Sequence, residues 1–291
     1  MEFAAFSEFF LSVLRSSSPL FLAAMGALFC ERSGVVQIAL EGLMLVGAFA
    51  AAAVATGMGG GAGLFTAGMV GLVVALFYAY LVIRLKVDQI IAGTVINMLA
   101  WGGLPIICKA LFNSSAGTPQ LGIALRLSSA TPIILAFLVV CLGWFVFSKT
   151  PFGLWVTFAG EKPEALKAAG LNPENIRYRA ILIGGFLAGI AGGCLSVCLS
   201  SSYTRNMTAG RGFMALAALI LGQWKPVPVF LSCMLFGFCD VLQMKLQGVP
   251  LPIVGVVPNQ LIQLTPYIMT LILLIGVIRE NRAPSKLGRS S

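Results

Sequence analysis

The sequence contains no histidine, and this absence removes the commonest general base and the commonest metal ligand at once. Its seven cysteines, an odd number with no Cys-x-x-Cys pair, lie almost entirely inside apolar segments. Cysteines in such segments usually act as small buried hydrophobic residues, and this pattern does not indicate a set of disulfides or metal ligands. We therefore predict no catalytic residues and no metal site, and a membrane enzyme is only the weaker alternative.

A phosphate-binding loop of the Gly-x-x-x-x-Gly-Lys-Ser/Thr type is also missing. The chain cannot cradle ATP phosphates by that device, so any active transport draws on an ion gradient or on a separate ATPase. We expect no cofactor on this chain. Charged residues are scarce as well, at 10% of the sequence, whereas a soluble domain carries about 25%.

Long apolar runs dominate what is present, with 58% hydrophobic residues and a mean hydropathy of +0.96. Runs of about twenty apolar residues indicate membrane-spanning helices. We predict an all-α, polytopic membrane helix bundle that forms one transmembrane domain over residues 1–291. Nine candidate spans, with eight or ten as alternatives, are 16–30, 35–56, 62–84, 89–112, 131–147, 178–201, 208–224, 227–247 and 259–278. Residues 3–14 are interpreted as an amphipathic lead-in, because no basic start of a cleavable signal precedes them.

The basic residues indicate an orientation. If the loop 148–177 and the tail 279–291 are cytoplasmic, thirteen of the nineteen Lys and Arg residues lie on that side, as the positive-inside rule requires. These residues are Arg32, Arg84, Lys86, Lys149, Lys162, Lys167, Arg177, Arg179, Lys225, Arg279, Arg282, Lys286 and Arg289. The net charge of +9 is thereby explained by membrane topology and does not predict nucleic-acid binding.

One charged stretch, residues 161–170, interrupts the apolar sequence and predicts a short helix. Pro163 suits the first turn, where its missing N–H costs nothing, and Glu164 complements the positive end of the helix dipole. Gly170 can supply the left-handed cap that ends the helix. A helix of two turns is too short to be stable alone, so we expect it to dock on a soluble partner. A solvated connection between spans is the alternative.

Polar residues inside the apolar runs are candidates for a solute path, because such groups usually face a bundle interior or a water-filled cavity. The candidates form stripes at helical spacing: Gln37, Glu41, Thr94, Asn97, Trp101, Asp240 and Gln243. Trp101 could also stack on a flat ring. The alternative is hydrogen bonding between helices, and Glu41, two turns from the cytoplasmic end, could instead tie down neighbouring backbone.

Small residues and a faint repeat complete the pattern. Gly185, Gly189 and Gly193 recur at every fourth position, which predicts a helix face for close packing. The segment 57–63, with five glycines, is predicted as a flexible outer turn. Residues 34–45 align with residues 210–221, which predicts an inverted repeat of the kind found in transporters, with chance matching of leucines as the alternative.

Three motifs resemble one known family. The run Glu31-Arg-Ser-Gly-Val-Val-Gln-Ile-Ala-Leu-Glu-Gly-Leu-Met-Leu-Val-Gly-Ala-Phe49 is similar to the signature of permease subunits of bacterial ABC importers in the branched-chain amino acid, simple sugar and nucleoside group. Met207-Thr-Ala-Gly-Arg-Gly-Phe-Met-Ala-Leu-Ala-Ala-Leu-Ile-Leu-Gly222 resembles the second signature of its nucleoside branch. Gly160-Glu-Lys-Pro-Glu-Ala-Leu-Lys-Ala-Ala-Gly-Leu171 resembles the cytoplasmic coupling segment. The resemblance covers residues 16–280.

The resemblance implies a type II importer fold in the bacterial cytoplasmic membrane, alternating access, and a nucleoside as the small-molecule substrate. The implied partners are a cytoplasmic ATPase that holds ATP and Mg, a second permease subunit and an extracytoplasmic solute-binding lipoprotein. The implied coupling residues are Glu161, Pro163, Glu164, Ala165, Leu166, Lys167, Ala168, Ala169 and Gly170, with Ala165, Leu166, Ala168 and Ala169 buried against the ATPase. A sugar or amino acid permease and a stand-alone gradient-driven transporter or channel are the alternatives.

Overall fold

Helices account for most of the computed structural model, which describes residues 2–246, 250–251, 255–256 and 283–288. The described α-helices are α1 (Glu2–Arg32), α2 (Leu40–Met58), α3 (Gly60–Ala79), α4 (Gln89–Phe112), α5 (Thr131–Lys149), α6 (Pro151–Glu161), α7 (Pro163–Ala168), α8 (Pro173–Gly193), α9 (Arg211–Leu221) and α10 (Pro226–Leu246). Tyr80–Arg84 and Cys194–Leu199 are π-helical turns that continue α3 and α8, and Ile123–Leu125 is a 3-10 turn. Strand β1 (Pro250–Leu251) pairs antiparallel with β2 (Gly255–Val256). The predicted helix bundle is confirmed.

Seven of the described helices are long and apolar enough to cross a membrane. They are Phe6–Arg32, Leu40–Met58, Gly60–Arg84, Gln89–Phe112, Thr131–Lys149, Pro173–Leu199 and Pro226–Leu246. Of the two other predicted spans, 208–224 contains only the 11-residue α9, and 259–278 lies outside the described residues. The prediction of about nine spans is therefore roughly right.

The first helix is longer than predicted, because residues 3–14 are the first turns of α1 rather than a separate lead-in. Three serines follow those turns, and their hydroxyls do not end the helix. The Oγ atoms of Ser17 and Ser18 both donate to the carbonyl of Leu14, so their hydrogen-bonding capacity is satisfied within the helix. The predicted boundary before residue 16 is wrong for that reason.

Helix α8 lies at the centre of the bundle and packs on α1, α2 and α3. Gly184 approaches Gly26 of α1, and Gly189 lies against Gly47 of α2. A Cβ atom at Gly189 would also collide with the carbonyl of Ala67 on α3. Only glycine allows backbones to come so close. The predicted packing role of the spaced glycines is confirmed.

The glycine-rich segment 57–63 is not the predicted flexible turn. Gly59 alone, with φ +85°, separates α2 from α3, and the glycines after it are helical. Gly60 is buried, and a side chain there would collide with Leu127 and Val197. The segment is therefore a tight junction whose small residues allow packing.

Basic residues gather at one end of the bundle, which we call the basic face. It comprises residues 31–39, 84–88, 149–173, 222–225 and 283–288. Hydrogen bonds join its parts, among them Arg32 Nε to the Trp224 carbonyl at 2.9 Å, the Val36 N–H to Gln89 Oε1 at 2.7 Å, and the Lys286 N–H to the Gly160 carbonyl at 2.9 Å. The opposite face holds residues 57–60, 113–130 and 200–205, where Gly117 and Thr204 form a bridge.

The chain between the π-helical turn that continues α8 and the start of α9 is not helical. Residues 200–210, which we call the α8–α9 break, leave the opposite face, and α9 then runs to the basic face. Both oxygens of Glu41, in the first turn of α2, accept hydrogen bonds from the backbone at the start of α9: the N–H of Gly210 at 2.9 Å and that of Gly212 at 2.6 Å. The carboxylate thus caps α9 from another helix.

The two segments that predicted an inverted repeat differ in local structure. Helices α2 and α9 do run in opposite directions, because α2 leads away from the basic face and α9 leads toward it. Residues 35–39, however, form a turn, whereas their counterparts 211–215 are helical. Gly34 at φ +93° opens this turn, and the Tyr78 hydroxyl donates to the carbonyl of Val36 within it. The predicted equivalence therefore holds only for the last six aligned positions.

Candidate functional site

The predicted short helix is α7, and with its flanking residues it forms the α7 segment, residues 161–171, on the basic face. Pro163 is its first helical residue, and Gly170 adopts φ +78°, the left-handed cap expected from the sequence. The N–H of Leu171 donates to the carbonyl of Leu166 at 2.9 Å across that cap. Local signals therefore define both ends of this helix.

Leu166 anchors α7 to the rest of the chain. It is only 3% exposed and packs with Val156, Ala159, Ile176 and Ala180 of helices α6 and α8. A helix of six residues lacks stability of its own, so this burial is what holds it in place. Leu166 was expected to face a partner, and the structure instead places it against its own chain.

The outer side of α7 is small and charged. Ala165, Ala168 and Ala169 are exposed, as are Glu164 and Lys167 between them. At the three alanines, only a methyl group lies between the helix backbone and an approaching protein. The α7 segment thus presents a surface that a second protein can approach to backbone distance, while its inner side is fixed.

A segment near the C-terminus packs beside α7. Ser285 Oγ donates to the Glu161 carbonyl at 2.8 Å, and the N–H of Gly288 donates to the carbonyl of Gly34 at 3.2 Å. Lys286 Nζ lies 3.7 Å from Glu164 Oε1. Residues 283–288 therefore connect the α7 segment to the turn between α1 and α2.

A cleft of about 820 Å³ opens next to this contact on the basic face. Its charged residues are Lys86, Glu164, Lys167, Glu174, Arg177 and Lys286. Arg177 Nε donates to the carbonyl of Ser33 at 3.2 Å, and its Nη2 donates to the Ala159 carbonyl at 3.2 Å. Arg177 therefore also fixes the turn after α1 against α6.

Among the predicted path residues, Gln37 and Asn97 serve the turn before α2. Gln37 does not share a face of a span with Glu41, because it lies in the turn before α2. It is fully buried, and its side-chain amide has no hydrogen-bond partner among the described residues. Asn97 Oδ1 accepts from the Gly42 N–H at 2.7 Å, and its Nδ2 donates to the Ile38 carbonyl at 2.8 Å. Asn97 thus fixes the backbone at the start of α2. Asn97 and Glu41 therefore form hydrogen bonds between helices and hold neighbouring backbone, which is the alternative to a solute path that the sequence left open.

Two other predicted residues on α4 face outward. Thr94 is exposed and donates only to the carbonyl of Ile90 in its own helix at 2.8 Å. Trp101 is 58% exposed, and its Nε1 donates to Oδ1 of Asn206 in the α8–α9 break at 2.9 Å. The predicted stripe on α4 therefore divides between an inward amide and two outward residues.

The last two predicted residues lie on α10, which packs on α1. Ser16 Oγ donates to Asp240 Oδ2 at 3.1 Å, and Gln243 is half-buried one turn further along. Arg211, the first residue of α9, is near enough to Asp240 for electrostatic attraction. Asp240 therefore belongs to the polar surroundings of the start of α9.

Three residues important for this geometry were not among the predicted site residues. Arg177 was counted only for orientation, and Asn206 was not considered. Glu31 was noted only as part of a motif, but its Oε2 accepts from Trp224 Nε1 at 2.7 Å. A signal for Glu31 did exist, because a carboxylate at the end of an apolar run requires a partner. No comparable signal marks Asn206, whose partner is 105 positions away.

Comparison with known proteins identifies the family. The family described as "Branched-chain amino acid transport system / permease component" matches residues 9–278. The guanosine ABC transporter permease protein NupQ of Bacillus subtilis is 33% identical over 94% of this chain and 92% of its own length. The nucleoside ABC transporter permease protein NupC of Lactococcus lactis is 31% identical over 94% of this chain and 93% of its own length.

A putative glucose ABC transporter permease protein of Haloferax volcanii is similar to the same extent, with 33% identity over 93% of this chain and 92% of its own length. No solved structure matches. These three relatives are all named as permeases, and their names differ in the solute.

Proposed function

Because the chain belongs to the family of branched-chain amino acid transport system permease components, we propose that it is the membrane permease subunit of an ATP-driven importer for nucleosides. Guanosine and nucleoside permeases are among its similar proteins. The chain would form one transmembrane domain over residues 1–291 in the bacterial cytoplasmic membrane. It would move its substrate by alternating access and carry out no covalent chemistry.

The observation that carries the coupling part of this proposal is the surface of the α7 segment. Ala165, Ala168 and Ala169 are exposed on a helix whose inner residue, Leu166, is fixed in the bundle. A cytoplasmic ATPase that receives this helix in a cleft can therefore move α6 and α8 directly when it closes around ATP. Glu164 and Lys167 are the polar partners at the edge of that contact.

This arrangement requires the basic face to be cytoplasmic. The excess of Lys and Arg at that face supports the orientation. The loop 148–177 and the tail 279–291 would then lie inside the cell. ATP and Mg would bind the separate ATPase, and this chain would bind no cofactor of its own.

Two further partners complete the proposed assembly: a second permease subunit and an extracytoplasmic solute-binding lipoprotein. The second permease would pack against exposed apolar sides of the bundle other than the one that carries Trp101, such as that of α3, where Phe65 and Val73 are 65% and 60% exposed. Membrane lipid would cover the remainder. Nucleic acid is not among the proposed partners.

The test is ATP-dependent uptake of radiolabelled guanosine by proteoliposomes that contain the whole transporter with its ATPase and binding protein. We expect uptake by the wild type and none by Ala168→Arg, because a long cation on the small surface blocks the contact with the ATPase. Ser285→Ala is the matched control, since it removes one hydrogen bond at the same face and leaves that surface unchanged. Full uptake by the Ala168→Arg variant would contradict the coupling assignment.

A second candidate function is transport of a simple sugar, and the similarity to a putative glucose permease favours it. The same proteoliposomes decide between the two. Uptake of labelled glucose without uptake of any nucleoside would replace the nucleoside assignment and leave the coupling assignment intact.

A further inference from the structure

The α8–α9 break is an irregular segment whose exposed residues are polar. Thr204, Arg205 and Asn206 are exposed, and Asn206 and Ala209 adopt left-handed conformations with φ +57° and +46°. Left-handed residues interrupt a right-handed helix, so this backbone cannot continue α8. Trp101 of α4 is the side chain that holds Asn206, through the 2.9 Å hydrogen bond from its Nε1.

This contact lies near the middle of the membrane. Trp101 comes twelve residues after Gln89, which is on the basic face, and this separation corresponds to about 18 Å along α4. Helix α9 has 11 residues, so its first residue lies about 16 Å from the basic face, where the helix ends. The apolar core of a bilayer is about 30 Å thick, so the Trp101–Asn206 contact is well inside it.

Exposed irregular backbone at that depth cannot face lipid. Such backbone is tolerated only when protein covers it or when it lines a water-filled cavity. Trp101 is 58% exposed and Asn206 is exposed, so the described part of the chain does not cover them. An exposed asparagine side chain at this depth indicates a surface that meets water and a polar solute.

We propose that Trp101 and Asn206 form a binding site for the flat ring of the transported solute. The exposed indole of Trp101 would stack on the ring, since stacking requires only an aromatic face. Its Nε1–H holds Asn206 Oδ1, which leaves the Nδ2 hydrogens and one lone pair of Oδ1 to reach the polar edge of a base. The Trp101 indole therefore both stacks and orients the amide.

This inference rests on the proposed transport of nucleosides, and it adds residues outside the coupling surface. It also assigns a role to Asn206, which anchors the site to the break. If the break moves when α9 moves, the amide leaves the ring and the solute is released. The site then belongs to the same cycle of alternating access.

The experiment uses the complete transporter and the photoactivatable probe 8-azidoguanosine, with crosslinked peptides identified by mass spectrometry. We expect crosslinking within residues 98–104 or 200–210, and competition by unlabelled guanosine. Trp101→Leu should reduce the crosslinking about tenfold by removing the stacking face. Trp101→Phe should retain most of it, and Asn206→Ala should weaken discrimination between guanosine and uridine as competitors.

Trp144→Leu is the matched control, because Trp144 is 49% exposed on α5, a helix that packs on α1, α6 and α10 rather than on α4. Assembly of each variant with its partner subunits is checked by size-exclusion chromatography. If the wild type takes up guanosine but crosslinks elsewhere, or if Trp101→Leu crosslinks normally, the site assignment is wrong and the transport assignment stands. A wild type that takes up no nucleoside overturns the transport assignment itself.

Discussion

The α7 segment and the α8–α9 break both interrupt the helices of this chain, but different contacts hold them. Each includes a left-handed glycine, Gly170 at φ +78° and Gly210 at φ +85°. The bounds of α7 are set by neighbours in sequence, such as the Leu171 N–H on the carbonyl of Leu166, although Ser285 also contacts the segment at Glu161. The break is held from other helices, by Glu41 at a separation of 169 residues and by Trp101 at 105.

The physical reason for this difference is the surrounding medium. At the basic face, water can satisfy any backbone group that the protein leaves free. At the start of α9, where Gly212 is buried inside the bundle, no water replaces a missing partner, so the protein must supply each one. The break therefore depends on individual side chains for its structure, whereas the α7 segment can use its exposed side chains for binding.

The largest effect is expected for Glu41→Ala, which removes both hydrogen bonds at the start of α9. Hydrogen bonds to charged groups contribute about 1.5–3 kcal/mol each, so the free energy of unfolding should fall by roughly 3 kcal/mol or more. Thermal unfolding of the detergent-purified transporter measures this. Glu41→Gln retains one acceptor and should lose less stability. An unchanged melting temperature in Glu41→Ala would mean that the cap contributes nothing.

A smaller effect on stability is expected for Leu166→Ala in the α7 segment. Truncation of a buried leucine usually costs about 2–5 kcal/mol, and the edge position of this small cluster places the expected loss near 2 kcal/mol. The fractional loss of uptake should be larger than the fractional loss of folded protein, because α7 would no longer transmit movement to α6 and α8. Ser285→Ala, a change at the same face outside the coupling surface, serves as the control. Equal losses in both variants would argue against Leu166 as the anchor.

The smallest effect is expected for Glu164→Gln, which removes the contact with Lys286. The side chain of Glu164 is 74% exposed, and exposed ion pairs contribute only about 0–1 kcal/mol. The melting temperature should therefore change very little, and any residual difference should disappear as salt concentration rises. A large loss of stability at high salt would show that residues 283–288 depend on this pair more than its geometry indicates.

The same contrast explains how much the sequence could predict. The bounds of α7, the cap at Gly170 and the packing of Gly189 follow from neighbouring residues or from regular spacing, and the structure has them as predicted. The apolar runs likewise predicted most of the spans. These features depend on signals within one helix or one turn.

The remaining features depend on partners distant in sequence. Gln37 was placed on a helix face because apolar residues surround it, although Arg177 and Asn97 hold that stretch as a turn. Residues 208–224 are as apolar as a span, yet the start of α9 is fixed by Glu41 from α2. Leu166 appeared suited to a partner, because helical spacing alone does not indicate which side of a short helix is already buried.

The central claim, that the α7 segment connects this permease to a separate ATPase, is tested most directly by co-purification. The tagged chain is extracted from its native host in mild detergent, and its associated proteins are identified by mass spectrometry. The account predicts that the wild type co-purifies with an ATPase and a second permease. The Ala168→Arg variant should retain the second permease and lose the ATPase. An ATPase that remains bound to Ala168→Arg, or a wild-type chain that purifies alone under several extraction conditions, would contradict it.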